Sequence, residues 1–188
     1  MIYYFETIKC DDFEVFNLQY HNKRISKTIG LNINLQEYIY PPTDHLLKCK
    51  VIYSINGIEN IQFDKYTPRE IKTLKIIEAD DCEYQYKYLN RDILNSLYEK
   101  KGIADDIVIV KNGYITDTSI ANIAIFKDNK WLTPSNPLLM GTMRDNLLEK
   151  EFIHESKLSV AELKQSKKLA LMNAMIGFKE LTSFNIIY

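Results

Sequence analysis

Cysteine is scarce in this chain: 188 residues contain three, Cys10, Cys49 and Cys82. Their odd number, wide spacing and lack of any Cys-x-x-Cys exclude a disulfide framework, and reduced, mostly buried thiols in a cytoplasm fit best. Histidine is equally sparse. His21, His45 and His154 stand apart from each other and from the cysteines, so no zinc-like ligand set can be drawn. Six glycines and five prolines leave no flexible linker, repeat or low-complexity segment. No apolar run is long enough to span a bilayer. The opening Met1-Ile2-Tyr3-Tyr4-Phe5-Glu6 lacks the basic-then-apolar pattern of a secretory signal and reads as a strand. Neither sign of charge dominates: 24 Lys and Arg against 25 Asp and Glu leave a net charge of −1. That balance argues against nucleic acid or an acidic membrane as the main partner.

What is present is ordinary for a soluble globular protein: 46% hydrophobic and 26% charged residues, with thirteen tyrosines read mostly as packing residues with a polar tip. The length suits one large domain or two small ones sharing a core. Alternation and turn residues predict strands over 1–9 and 13–17, then a helix over 18–29 stopped by Gly30. A short helix over 35–40 ends at Pro41-Pro42. Strands over 46–54 and 58–66 flank the hairpin signal Ile55-Asn56-Gly57, and 74–79 is extended. Residues 90–101 form an amphipathic helix ended by Gly102. Ile107 to Val110 is a continuous apolar run, predicting a central strand buried on both faces. Asn112-Gly113 turns it into a hairpin, and 122–126 and 130–133 extend the sheet. Helices over 142–150 and 160–168, with strands near 153, 169–173 and 178–181, close the chain. The change of character near residues 80–86 predicts two α+β lobes, 1–83 and 84–188.

Three unlike features follow one another between Lys87 and Arg144. Lys87, in Lys87-Tyr88-Leu89-Asn90-Arg91, opens a helix among tyrosines. It reads either as a surface lysine or as a Schiff-base lysine, a role suited to a partly desolvated amine. Asp117 lies in a strand after a tight turn, among Thr116, Thr118 and Ser119. It is either a carboxylate satisfied by its neighbours or the acid that keeps a pyridine nitrogen protonated, with Asn122 placed to orient it. Gly141-Thr142-Met143-Arg144 begins a helix, as an ordinary cap or as a site where the N–H groups of Thr142 and Met143 meet a phosphate. Arg24 on the first helix is a solvated residue or the balancing charge. Asn173, with Ala174, ends an apolar strand in a turn or at a ligand. An amine, a carboxylate and a helix N-terminus are what a protein offers to hold pyridoxal 5′-phosphate.

Taken together, these segments resemble the class IV aminotransferase family, the pyridoxal-phosphate enzymes of fold type IV, and within it the aminodeoxychorismate lyases. The resemblance runs from Phe5-Glu6-Thr7-Ile8-Lys9 through His21-x-x-Arg24 and Lys87-x-Leu89-Asn90-Arg91 to Asn173-Ala174-Met175. It implies an α+β fold of two small α/β lobes, the second carrying the catalytic lysine, Lys87. It also implies that Asp117 pairs with the pyridine nitrogen. Arg24, Thr142 with Met143, and Asn173 with Ala174 would hold the phosphate, and Thr7 would fall near the substrate pocket. The family usually has Glu where this chain has Asp117. The chain also begins almost at the Phe-Glu-Thr segment, so the N-terminal lobe is expected to be shortened.

The implied reaction is a lyase conversion of 4-amino-4-deoxychorismate to 4-aminobenzoate and pyruvate, a step of folate synthesis. A transaminase for a small amino acid, of the branched-chain or D-amino acid type, shares the same residues. A protein without turnover is the third reading. A small-molecule amine substrate and a homodimer complete what the resemblance implies, and the cysteine usage adds the expectation of a cytoplasmic location.

Overall fold

The computed structural model describes all of residues 1–188, which fold as two compact units. The first holds Met1–Pro68 together with Tyr86–Asn90, and the second Arg69–Gln85 with Arg91–Tyr188. No helix is long and apolar enough to cross a membrane.

The first unit is a four-stranded sheet in the order β2-β1-β3-β4, built from β1 (Tyr4–Asp11), β2 (Glu14–Val15), β3 (Leu47–Ser54) and β4 (Gly57–Lys65). Helix α1 (Leu18–Ile29) lies on one face and ends at Gly30, whose φ of 75° favours a residue without a Cβ. Alternation sorts the strands: Tyr4, Ile8, Cys10, Leu47, Cys49, Val51 and Tyr53 pack with Ile25 of α1 and Leu35 into one core. Fully burying an aliphatic side chain such as Ile25 contributes about 1.5–3 kcal/mol. Phe5, Thr7 and Lys9, out of phase with that set, project from the other face, as do Lys48, Lys50 and Ile52 paired beside them on β3.

The second unit is a nine-stranded sheet. Its centre is β6 (Asp106–Lys111), parallel to β5 (Thr73–Glu78) and antiparallel to β7 (Tyr114–Thr118). Ile107 to Val110 are all buried, as a strand covered on both faces requires. Asn112 and Gly113 both have positive φ, 51° and 80°, which matches the twist of a two-residue hairpin. Strand β8 (Asn122–Lys127) pairs with β7, β9 (Lys130–Pro134) and β11 (Leu169–Asn173). Strand β10 (Ile153–Ser156) runs parallel to β9, and β12 (Gly177–Leu181) pairs with β11. Helices α2 (Asp92–Glu99), α3 (Thr142–Glu149) and α4 (Val160–Gln165) complete the unit, and β13 (Asn185–Ile187) adds to β5.

Several expectations change in detail. The division does not fall at 83/84: the first unit ends at Pro68 and regains Tyr86–Asn90, so Lys87 belongs with the N-terminal sheet. The reason is backbone pairing. Phe5 N–H donates to the Lys87 carbonyl and Leu89 N–H to the Tyr3 carbonyl, each at 2.9 Å, with Tyr4 opposite Tyr88. Lys87 therefore sits on an extended segment rather than opening a helix, and α2 starts at Asp92. The helix expected over 35–40 is a single 3-10 turn, Leu35–Glu37. Strand β13 is too short to leave a periodic signal.

Candidate functional site

In the second unit the site begins with an irregularity. Val108 pairs with Thr118 and Val110 with Ile115, so the single residue Ile109 faces both Thr116 and Asp117. That is a β-bulge, which re-aims one side chain out of the alternating pattern. Thr116 Oγ1 donates to the Ile109 carbonyl at 2.8 Å and satisfies the acceptor that the bulge disturbs. Asp117 pairs directly with Asn122 across to β8. Its carboxylate, 4% exposed, accepts from Asn122 Nδ2 at 2.7 Å and from Leu139 N–H at 2.9 Å. Burial pushes Asp117 up to about 6, against the opposing pull of the Leu139 N–H, Asn122, the Arg144 charge and the Leu138 N–H.

The loop before α3 is pinned to the same amide. Asn122 Nδ2 also donates to the Leu139 carbonyl at 2.9 Å. A Cβ on Gly141 would lie 1.9 Å from Asn122 Oδ1, so glycine alone permits this approach. The N-cap residue of α3 is Gly141, so no N-cap side chain bonds its first N–H groups. Thr142 is buried, and Met143 packs against Ala124, Ile153 and Met172. Arg144 is wholly buried and donates to the Pro134 carbonyl at 2.9 Å and to Glu155 Oε1 at 2.5 Å, while its Nε has no partner. The Asn173 side chain holds its own turn: its Oδ1 accepts from Met175 and Ile176 N–H, and its Nδ2 donates to the Ile120 carbonyl at 3.3 Å. Ala174 lies in that turn. A separate cavity of about 500 Å³ is bordered by Thr116 and Leu138 but not by Asp117, Asn122 or Gly141.

In the first unit Arg24 has a partner that its sequence neighbours did not suggest. Its Nε donates to Glu6 Oε1 at 2.9 Å and its Nη2 to Glu6 Oε2, while His21 Nδ1 lies 2.6 Å from Oε2. Glu6 is fully buried; burial would raise its pKa, but Arg24 and His21 outweigh that and hold it at about 2. His21 is lowered by burial, against the pull of Glu6. Sequence offered a signal for Glu6: it shares the phase of Tyr4, Ile8 and Cys10, and a carboxylate on a core face demands a partner. On the opposite face the Lys87 ammonium lies 4.6 Å from the centre of the Phe5 ring. Tyr86 and Tyr88 flank Lys87 and pack on Tyr4, with ring centres 6.0 and 5.4 Å away. Thr7 is half-buried beside Phe5 on that face.

The structure thus gathers Asp117, Asn122, Leu139, Gly141 and the start of α3 in one unit, and Lys87, Phe5 and Thr7 on one sheet face in the other, with Arg24 on the helix side. The amino-transferase class IV model matches residues 58–184. A Haemophilus influenzae protein of uncharacterised function is 32% identical over 184 residues, covering 92% of this chain and 97% of the relative. A solved chain from Haemophilus somnus 129pt, named provisionally as a 4-amino-4-deoxychorismate lyase, is 30% identical. It covers 94% of this chain and 98% of its own, with a TM-score of 0.81. A Mycobacterium tuberculosis chain described as a hypothetical aminotransferase and solved in a PLP-bound form is 18% identical, which establishes shared fold. It covers 97% of this chain and 81% of its own, with a TM-score of 0.76.

Proposed function

Because the chain belongs to the amino-transferase class IV family, we propose that it is a pyridoxal 5′-phosphate enzyme that converts 4-amino-4-deoxychorismate to 4-aminobenzoate and pyruvate. The observation that carries the cofactor assignment is Asp117, a buried carboxylate raised to about 6 beside the uncapped start of α3. A cationic ring nitrogen is the partner that such a group lacks, and the donor set around it suits the cofactor. The likeness to the Haemophilus somnus chain supports the choice of substrate.

Asp117 would hold the proton on the ring nitrogen, with Asn122 and the Leu139 N–H fixing its two oxygens. The N–H groups of Thr142 and Met143 would hold the phosphate, aided by the helix dipole. Arg24, oriented by Glu6, would supply balancing charge. Bound there, the cofactor supplies an electron-withdrawing ring that makes the hydrogen on the amine-bearing carbon acidic. Lys87 Nζ takes that proton and returns it to the departing enolpyruvyl group, which leaves as pyruvate. The carbocycle left behind is aromatic, and that drives the elimination.

The visible spectrum of the native protein and of Lys87→Ala tests the cofactor: a reducible band is expected in the first and absent from the second. Pyruvate release from aminodeoxychorismate, set against amino transfer to a keto acid, tests the reaction. A coloured protein that transfers amino groups and releases no pyruvate is a transaminase.

A further inference from the structure

Resting on that reading, we propose that Lys50, with Thr7, binds a carboxylate of the amine substrate and so sets which amines the enzyme accepts. The argument comes from the sheet face that carries Lys87. Phe5, Thr7 and Lys9 project from β1 on that face; their partners Ile52, Lys50 and Lys48 on β3, and then Asn60, Gln62 and Asp64 on β4, project with them. Lys9 is paired with Asp11 at 3.2 Å and Lys48 with Asp64 at 3.2 Å. Asp64 also accepts from Gln62 at 2.8 Å, which occupies its other oxygen. Lys50 lies in the row between those pairs and Phe5 and makes no ion pair of its own.

The Lys50 ammonium lies 5.4 Å from the centre of the Phe5 ring, the same ring that carries the Lys87 ammonium at 4.6 Å. Two cations on one aromatic ring, on a face whose acids are already committed, favour an anion beside them. Glu6 cannot serve, since it is buried on the opposite face with Arg24 and His21. The Thr7 hydroxyl, directly across from Lys50, adds a neutral donor to the same spot. A half-buried lysine, with its four-carbon stem, can carry its charge to a bound molecule while the stem stays packed. The ligand class this fits is an amine that bears a carboxylate, its nitrogen presented to Lys87 and its carboxylate to Lys50.

Calorimetric titration of the holoprotein with 4-aminobenzoate and with 4-aminobenzamide tests this, because the two differ in charge and hardly in shape. Wild type should bind the acid about tenfold or more tightly than the amide, the value of one charge-assisted contact. Lys50→Met should bring the two affinities together by weakening the acid alone, and Lys50→Arg should restore the preference. All three proteins should keep the visible cofactor band and the same melting behaviour. The inference is overturned if Lys50→Met keeps the preference for the acid, if wild type shows none, or if Lys50→Met loses the visible band, since Lys50 would then serve the cofactor. The acid-to-amide ratio is read whether or not pyruvate is released, so failure of the lyase reading is separately visible.

Discussion

Asn122 joins Asp117 to the loop before α3 through one amide nitrogen, which donates to Asp117 Oδ1 at 2.7 Å and to the Leu139 carbonyl at 2.9 Å. Leu139 N–H closes the ring by donating to Asp117 Oδ2. Asn122→Ala removes two of these links and leaves the Leu139 carbonyl without this donor. The expected cost is about 2 kcal/mol in urea unfolding. The Asp117 carboxyl should also titrate above its present value of about 6, because a donor that favours its charged form is gone. An isotope-edited infrared titration that finds Asp117 unmoved would sink this account of its environment.

Gly141 has φ −74° and ψ 140°, a conformation open to any residue, so its glycine is required by space alone. In Gly141→Ala the new methyl would meet Asn122 Oδ1 at 1.9 Å and Cγ at 3.1 Å. Asn122 cannot simply rotate away, because it is held at both ends. Overpacking with the loss of those hydrogen bonds should cost about 3 kcal/mol. The two sites share one cause, so the penalty should shrink to under about 1 kcal/mol in an Asn122→Ala background. Additive penalties in the double-mutant cycle would show that something other than this contact requires glycine.

Much of this was legible in the sequence, and the parts that were not have physical reasons. Helix α1 from Leu18 to Gly30 and the buried strand over 107–110 were readable because each carries a strong local signal, a glycine stop and an unbroken apolar run. The Asp117–Asn122 pair was readable because the two residues stand five apart in sequence. The bulge that turns Asp117 was not, because one extra residue changes register without changing composition. The place of Lys87 in the N-terminal sheet is hidden from the sequence for a related reason: Tyr86–Asn90 pairs with a strand more than eighty residues away, a contact that no local pattern encodes. Asn173, a candidate for phosphate, also has its Oδ1 engaged by its own turn, a bond that short polar residues offer wherever a strand ends and that the sequence does not specify.

Glu6 should govern the acid limb of stability. Its folded pKa of about 2 lies below the ordinary 4.5, so its contribution is present above pH 4.5 and lost as pH falls toward 2. At about 1.4 kcal/mol per unit this amounts to about 3 kcal/mol. Glu6→Gln should remove that dependence. It should also cost about 3–5 kcal/mol at neutral pH, because Arg24 loses the charge that compensates it. Urea unfolding at pH 7 and pH 3 measures both. An unchanged acid slope in Glu6→Gln would mean that other carboxylates set it.

Asp117 should act in the opposite direction. Its folded pKa of about 6 lies above the ordinary 3.8, so the stability it adds is fully present below pH 3.8 and is lost as pH rises through 6. The loss amounts to about 3 kcal/mol. Asp117→Asn has no proton to lose; it carries a fixed cost, since its amide can accept through only one oxygen, but not this slope. Between pH 4 and pH 7 the cofactor-free wild type should therefore lose most of this, about 2 kcal/mol, relative to Asp117→Asn. Adding pyridoxal phosphate at pH 7 should reverse the order, because a cationic ring nitrogen favours the charged carboxylate that burial alone disfavours. Turnover of Asp117→Asn should fall by about a hundredfold or more while its visible band persists, since the substitution leaves the residues proposed for the phosphate and the lysine in place. Equal pH slopes in the two cofactor-free proteins, together with equal stabilisation by the cofactor, would remove Asp117 from the ring nitrogen.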